Sequence, residues 1–201
     1  VYNGSLYVGT MSTGGAEVYR YSGTNSTWTK VSSSTPGVIG DVGTTSIEAV
    51  SAMTVYNGHL YIGTKKTGGA EVYRYDGNST WTLLSSTTAG AIGGTATTTA
   101  INEISSMVVH NGYLYIGTAK PSGADIYRYE VGTNIRDRWM KYSNPNAGTI
   151  GTTAVDRAVL HTHFGCLYGG ITKANAAAVY RVDGPNVFVI TNTAQTFTVG
   201  S

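Results

Sequence analysis

The feature that most constrains this chain is a long internal repeat. The sequence "VYNG" at Val1 recurs at Val55 and, as "VHNG", at Val109, which by subtraction is an interval of 54 residues each time. A degraded fourth copy, with Gly165 placed under Gly112, shortens the interval to 53 residues. A repeat of this kind is a structural unit that stacks on copies of itself, because one copy alone cannot bury its apolar faces.

Each copy divides into four strands, which we label a to d. Strand a is "ISSMVVHNG" in the third copy, and the second copy supplies "LYIGT" for b, "AEVYRYDG" for c and "WTLLS" for d. The Asn-Gly pairs favour a tight hairpin between strands a and b. β-Branched and aromatic residues dominate, and no segment repeats at helical spacing, so the predicted class is all-β. Four short strands every 50 or so residues indicate the four-stranded blades of a β-propeller.

The repeat also predicts the boundaries. Residues 1–201 are interpreted as one propeller domain or part of one. The blades are expected at approximately 1–46, 47–100, 101–153 and 154–201. In the first copy, strands are expected at about 5–8, 16–22 and 28–32, with equivalents one period later.

About four blades are therefore present, with strand a missing from the first copy. Closed propellers have about 4 to 8 blades. Either "TFTVGS" at 196–201 supplies the missing strand and closes a four-bladed ring, or the chain is a portion of a longer protein.

Aromatic residues recur at fixed places in the repeat. One set opens strand d and another lies in strand c: Trp28, Trp81 and Trp139, and Tyr19, Tyr73, Tyr127 and Tyr180. Because each blade buries both faces against its neighbours, these rings are predicted to pack between blades. We expect the three tryptophans to be largely buried.

The order of apolar strand, Asn-Gly, "LY-x-G", loop, "VYRYDG" and tryptophan resembles the Kelch-type propeller blade over essentially the whole chain. The Kelch blade carries a glycine pair after its second strand. Copies one to three have Gly-Thr there, as in Gly63–Thr64, and only the fourth has Gly169–Gly170. The repeats also resemble in style the propeller arrays of bacterial surface proteins and phage tail proteins, which implies an extracellular, cell-surface or virion location.

Composition argues against several classes of function. Charged residues make up 12% of the chain and the net charge is +2, with no basic stripe suited to phosphates, so nucleic acid is not expected as a partner. No apolar run approaches the roughly 20 residues that cross a membrane, so no membrane insertion is expected. Cys166 is the one cysteine, which excludes an intramolecular disulfide.

The predicted loops differ between the two ends of the blades. The a–b turns are short, whereas the b–c loops vary and lie beside long d–a connections such as "STPGVIGDVGTTS". Variable loops on a repeated scaffold are where binding usually occurs. The predicted ligand-binding residues in these loops are Lys65, Lys66, Thr67, Lys120, Ser122 and Lys173.

Two further clusters are candidate sites. An acid and an arginine recur three residues apart in strand c, and this spacing places them on opposite faces, so each is expected to find partners in a different interface. The pairs are Glu17 with Arg20, Glu71 with Arg74, and Asp125 with Arg128. His161, His163 and Cys166 form a weak metal-ligand pattern, and no metal or other cofactor is predicted.

The sequence favours a recognition function over catalysis. It contains no GxSxG, HExxH or Walker motif, and its acidic residues mostly occur singly, so no catalytic residue and no enzyme are predicted. The leading hypothesis is a non-catalytic surface module that binds a glycan or protein through its long-loop face. The alternatives are a structural scaffold within a larger assembly and a fragment of a hydrolase propeller.

Overall fold

Antiparallel strands that follow one another along the chain build the entire fold. In a computed structural model we describe residues 1–23, 26–93, 99–130, 138–143, 149–150, 153–173, 176–182 and 188–190. These residues form strands and turns without any helix, so none of them belongs to a helix that could span a membrane. The predicted all-β class is confirmed.

The second and third copies each form a complete blade of four antiparallel strands, hydrogen-bonded in the order a, b, c, d. Blade 2 consists of β4 (Ala49–Tyr56), β5 (His59–Lys65), β6 (Val72–Gly77) and β7 (Thr80–Leu83). Blade 3 consists of β8 (Glu103–His110), β9 (Tyr113–Ala119), β10 (Ile126–Tyr129) and β11 (Trp139–Lys141).

The outer copies form blades of the same kind. Blade 1 has strands b, c and d, which are β1 (Leu6–Gly9), β2 (Val18–Tyr21) and β3 (Trp28–Lys30), so the strands expected there are confirmed. A short hairpin of β12 (Thr149–Ile150) and β13 (Thr153–Ala154) precedes blade 4. Blade 4 consists of β14 (Arg157–His163), β15 (Cys166–Lys173), β16 (Ala176–Val182) and β17 (Phe188–Ile190).

The a–b turns have the backbone that their sequences predict. Both central residues have positive φ in blade 2, at Asn57 (45°) and Gly58 (72°), and in blade 3, at Asn111 (46°) and Gly112 (78°). This is the conformation of the two-residue turn whose twist matches that of the flanking strands. In blade 4 Phe164 takes the asparagine position at a φ of 45°.

Backbone pairing also joins one blade to the next. The end of strand b in one blade pairs with the start of strand a in the following blade, at Lys65 with Glu103 and at Ala119 with Arg157. Across the second junction, Arg157 forms a two-pronged ion pair with Glu103, with nitrogen–oxygen distances of 2.9 and 2.6 Å. No sheet closes on itself within the described residues, and the segment 196–201 that could close a ring lies outside them.

A bulged serine in strand a makes a further link between blades. The registers of β4 with β5 and of β8 with β9 each shift by one residue, at Ser51 and Ser105. Ser51 Oγ donates to the carbonyl of Ile104 at 2.8 Å, and Ser105 Oγ donates to the carbonyl of Ala158. The pairing of β14 with β15 runs without a shift. Loss of the bulged residue thus accounts for the shorter interval of the fourth copy.

Threonine follows the strand-b glycine where a Kelch-type blade has its second glycine. Thr64 and Thr118 are fully buried. Their hydroxyl oxygens accept hydrogen bonds from the amides of Glu71 and Asp125, each at 2.9 Å, so each threonine ties strand b to the start of strand c. Ile171 stands at this position in blade 4, so the pair Gly169–Gly170 lies one residue before the place of the Kelch glycine pair, and its assignment from the sequence is wrong.

The apolar core is divided into three clusters, one at each interface between blades. Each cluster contains residues of two neighbouring blades, as the repeat predicts. The tyrosines of strand c take part: Tyr73, Tyr127 and Tyr180 are buried in the three successive interfaces.

Two of the three tryptophans are buried as predicted. The indole of Trp81 donates to the carbonyl of Val31 in blade 1 at 2.7 Å, and that of Trp139 donates to the carbonyl of Leu84 in blade 2 at 3.1 Å. The prediction for Trp28 is wrong, because this ring is 47% exposed. No described residue of a preceding blade covers it.

This contrast predicts different costs for the same substitution. Trp81→Ala removes a ring that is 5% exposed and leaves the buried carbonyl of Val31 without its hydrogen-bond donor. It should therefore lower the free energy of unfolding by about 3–5 kcal/mol. Trp28→Ala should cost about 1 kcal/mol or less, as expected for a half-exposed side chain. Urea denaturation of dilute protein measures both. Equal losses would contradict the assignment of Trp81 to a blade interface.

Candidate functional site

Three tyrosines fill the same corner of the first two blade interfaces. Tyr2, Tyr7 and Tyr75 meet between blades 1 and 2, with ring centroids 5.7–6.4 Å apart. Their equivalents Tyr56, Tyr61 and Tyr129 meet between blades 2 and 3, with centroids 5.7–6.5 Å apart. Tilted and edge-to-face contacts at these distances are favourable, so aromatic packing holds both corners together.

The third interface keeps only one of these rings. The equivalents there are His110, Tyr115 and Val182, as the register of Leu167 with Val182 shows when it is compared with that of Leu114 with Tyr129. Two large rings are replaced by smaller side chains. A cavity of about 310 Å³ remains between blades 3 and 4, and we call it the Tyr–Arg pocket. Its lining is His110, Asn111, Tyr113, Tyr115, Arg128, Tyr142, Gly165, Cys166, Leu167 and Val182.

Arg128 supplies the positive charge of the Tyr–Arg pocket. Its guanidinium carbon lies 4.5 Å from the ring centroid of Tyr113 and 5.1 Å from that of Tyr142, which is stacking distance for an arginine. It also pairs with Glu130. Burial would lower the pKa of Arg128, but its hydrogen bonds to Glu130 and Tyr115 outweigh burial and raise that pKa. Arg128 Nε is buried without a hydrogen-bond partner.

Two buried phenols line the Tyr–Arg pocket. Tyr115 and Tyr142 contact each other edge to face at 5.1 Å. Tyr142 occupies the position of Leu84 in the preceding blade, so this phenol is specific to the third interface. Burial, followed by the hydrogen bond with Tyr115, raises the pKa of Tyr142 to about 12. The phenol therefore stays protonated at neutral pH and can donate a hydrogen bond.

The lining of the Tyr–Arg pocket suits a polar, anionic ring compound. Its polar groups are the imidazole of His110, the amide of Asn111, the phenols and the guanidinium of Arg128, and no lining residue is acidic. Aromatic faces pack against the apolar face of a sugar ring while amides and phenols bond its hydroxyls. An arginine binds a carboxylate through two parallel hydrogen bonds.

The predicted ligand-binding loop residues lie at the opposite ends of the strands. Lys66 Nζ is 4.0 Å from a carboxylate oxygen of Glu48, and Lys120 Nζ donates to the carbonyl of Thr99 at 2.5 Å. Lys65 ends β5 and pairs along the backbone with Glu103. Thr67, Ser122 and Lys173 are exposed. A ligand at these residues stays a prediction.

These b–c loops are fastened to the following blade. The amide of Gly68 donates to Asn102 Oδ1 at 2.8 Å, and the amide of Ser122 at the equivalent position donates to Asp156 Oδ1 at 2.6 Å. The amides of Lys66 and Lys120 donate to the carbonyls of the same two residues. The loops therefore link neighbouring blades, whatever else they contact.

The repeated acid and arginine of strand c face different neighbours, as their spacing predicts. Glu71 is buried and accepts hydrogen bonds from Tyr73 at 2.5 Å and from the amide of Thr44 in blade 1 at 2.7 Å. Arg74 instead donates to Asp76 of its own blade at 2.6 Å. Glu71 thus anchors a loop of the preceding blade and belongs to the scaffold.

His161 and His163 lie on strand β14, and His163 pairs along the backbone with Cys166 across the turn. Within the described residues, no three or more histidine, cysteine or acidic side chains gather in a way that could hold a metal ion. Cys166 is a free, half-buried thiol that lines the Tyr–Arg pocket.

Sequence reasoning missed the Tyr–Arg pocket, although the signal was present. The motif "VYRY" of strand c reads "VYRV" in the fourth copy, and the tyrosine of "VYNG" reads histidine in the third. Each change replaces a tyrosine of the same corner with a smaller side chain. The loss of both rings at one interface could be recognised only once the blades were paired.

Comparison with known proteins gives distant structural neighbours. No family model matches the chain, and no curated protein matches it by sequence. An α-L-arabinofuranosidase from Clostridium thermocellum is 14% identical, with a TM-score of 0.48 over 94% of this chain and 69% of that protein. An endo-arabinase from Bacteroides thetaiotaomicron is 15% identical, with a TM-score of 0.46 over 94% of this chain and 77% of that one. A sialidase from Trypanosoma rangeli is 13% identical, with a TM-score of 0.44 over 87% of this chain and 26% of that protein. Likeness at this level transfers no residue role.

Two predictions from the sequence are corrected by these comparisons. The solved structures named above are all enzymes that bear the names of glycoside hydrolases. They contradict the leading hypothesis of a non-catalytic module that binds through its long-loop face, and also the prediction that the chain is not an enzyme.

Restoring the lost ring should close the Tyr–Arg pocket. We expect Val182→Tyr to fill the corner as Tyr75 and Tyr129 do in their interfaces, without lowering the melting temperature. The thiol of Cys166 should then react more slowly with a soluble disulfide reagent, by about tenfold if the new ring covers it. The matched control is Val179→Tyr, outside the pocket on the same strand. An unchanged reaction rate for Val182→Tyr would contradict the assignment of the cavity.

Proposed function

We propose that this chain forms part of a propeller that hydrolyses glycans, and that the Tyr–Arg pocket holds an acidic sugar of the substrate. The observation that carries the proposal is a single guanidinium, that of Arg128, stacked between two tyrosine rings with one buried nitrogen unpartnered. A sugar carboxylate is the group that would complete its hydrogen bonding.

The pocket is assigned to binding and orientation of the sugar rather than to bond cleavage. Glycoside hydrolysis in most families uses two carboxyl groups, one on each side of the bond. The lining of the Tyr–Arg pocket contains none. Its aromatic and cationic groups instead fix one sugar unit, and remote binding of this kind contributes to catalysis by positioning the chain that is cleaved.

The function we propose implies a glycan as partner. The surface or extracellular location inferred from the style of the repeats is retained as part of the proposal. The Kelch-like character of the blades is likewise retained as a proposal, supported by the order of Asn-Gly, "LY-x-G" and tryptophan.

Substitution of the arginine tests the binding step. Arg128→Gln should weaken binding of a uronic acid oligosaccharide at least tenfold, because a hydrogen bond to a charged group contributes about 1.5–3 kcal/mol. Binding of the matched neutral oligosaccharide should change less. Arg74→Gln is the control, since Arg74 holds the same place in blade 2, where the tyrosine corner is filled. Isothermal titration calorimetry of the wild type and both variants with each oligosaccharide measures all six affinities.

Hydrolysis is tested separately by release of reducing ends from acidic and neutral polysaccharides. Release from an acidic polysaccharide that falls in Arg128→Gln and not in Arg74→Gln is the expected result. The proposal is wrong if no polysaccharide is cleaved and no oligosaccharide binds, or if both arginine variants lose binding equally.

A further inference from the structure

Blade 1 carries an apolar face that nothing in the described structure covers. Leu6, Val8 and Trp28 are all exposed, with Val8 at 40% and Trp28 at 47%. Val8 and Trp28, together with Tyr19, border a shallow apolar depression, and Leu6 lies two residues from Val8 on the same side of β1. We call these four residues the first-blade face. A contiguous exposed patch with a tryptophan and two aliphatic side chains is unusual on a monomer and indicates an interaction surface.

The same positions are interface positions in the next two blades. Leu60, Ile62, Tyr73 and Trp81 of blade 2 are buried in the cluster shared with blade 1. Leu114, Ile116, Tyr127 and Trp139 of blade 3 are buried in the cluster shared with blade 2. The first-blade face therefore has the composition and register of a surface that packs against the far side of another blade.

Blade 4 offers the complementary side. Val159, Gly170 and Val179 form one cross-strand row on its far face, which we call the last-blade face. The equivalent valine and isoleucine of blades 2 and 3, Val72 and Ile126, are fully buried against the following blade, whereas Val179 is 47% exposed. Each copy of the chain thus presents one half of a blade interface at either end.

We infer that the first-blade face binds the last-blade face of a second copy of this chain, head to tail. The internal interfaces supply the template: the tryptophan of one blade shares a buried cluster with a valine of the other, and its indole donates to a carbonyl directly after that blade's strand d. Because the two contacting patches differ, the contact is heterologous and leads to a ring or an open chain of copies. This inference is independent of the proposed glycan function.

Complementation between two variants of the 201-residue chain tests the head-to-tail association. Val8→Glu places a charge on the first-blade face, and Val179→Glu places one on the last-blade face. Sedimentation equilibrium and light scattering should show wild-type association in the micromolar range and only monomers, or at least tenfold weaker association, for each variant alone. An equimolar mixture of the two should form a 1:1 dimer and nothing larger, since each variant keeps one intact face.

The control is Met140→Glu, in strand d of blade 3, where the side chain is 49% exposed. This variant should associate like the wild type. Circular dichroism checks that each variant is folded, and Trp28→Ser replaces Val8→Glu if that variant is not. Three results would overturn the inference: a monomeric wild type, as expected if a blade of a longer chain covers the face; undiminished association of either single variant; or a mixture that stays monomeric.

Discussion

Strand a of each blade closely approaches a glycine of strand b in the preceding blade, and the other interactions depend on this contact. A β-carbon at Gly63 would lie 2.5 Å from the Cβ of Ile104, and one at Gly117 would lie 2.2 Å from the carbonyl oxygen of Ala158. No side chain fits at such distances. Glycine at this point lets neighbouring blades approach until the tryptophan of strand d reaches a carbonyl across the interface and the tyrosines fill the corner.

The Tyr–Arg pocket is a consequence of the same approach. The pairing of strands b and c is kept at the third interface, whereas His110 and Val182 are smaller than the tyrosines that they replace. The cavity therefore arises where the scaffold is constant and the side chains diverge. This is a general way for a repeat protein to acquire a site, because function needs only a local departure from a stable pattern. Such a site is compatible with a glycan-cleaving propeller and does not need the long-loop face that the sequence first suggested.

The sequence was sufficient for the features that depend on local chemistry or on the period. The Asn-Gly turns, the strand segments and the burial of Trp81 and Trp139 all follow from these. The sequence was not sufficient for burial and packing that depend on which blade lies next to a residue. Trp28 has the same sequence context as Trp81, and its exposure reflects only the absence of a described blade in front of it. The bulge at Ser105 was visible as a one-residue change of period, but only the strand register gave that change its meaning.

A matched pair of glycine substitutions tests the central claim most directly. Gly63 and Gly170 occupy the same place in blades 2 and 4, but a β-carbon at Gly170 would have its nearest neighbour, the carbonyl oxygen of Val159, at 3.7 Å. Urea denaturation of dilute protein should show that Gly63→Ala lowers the free energy of unfolding by about 3 kcal/mol, as overpacking does, and that Gly170→Ala changes it by less than about 0.5 kcal/mol. Equal effects of the two substitutions, or an unchanged free energy of unfolding in Gly63→Ala, would contradict the claim that packing of strand a on this glycine sets the spacing of the blades.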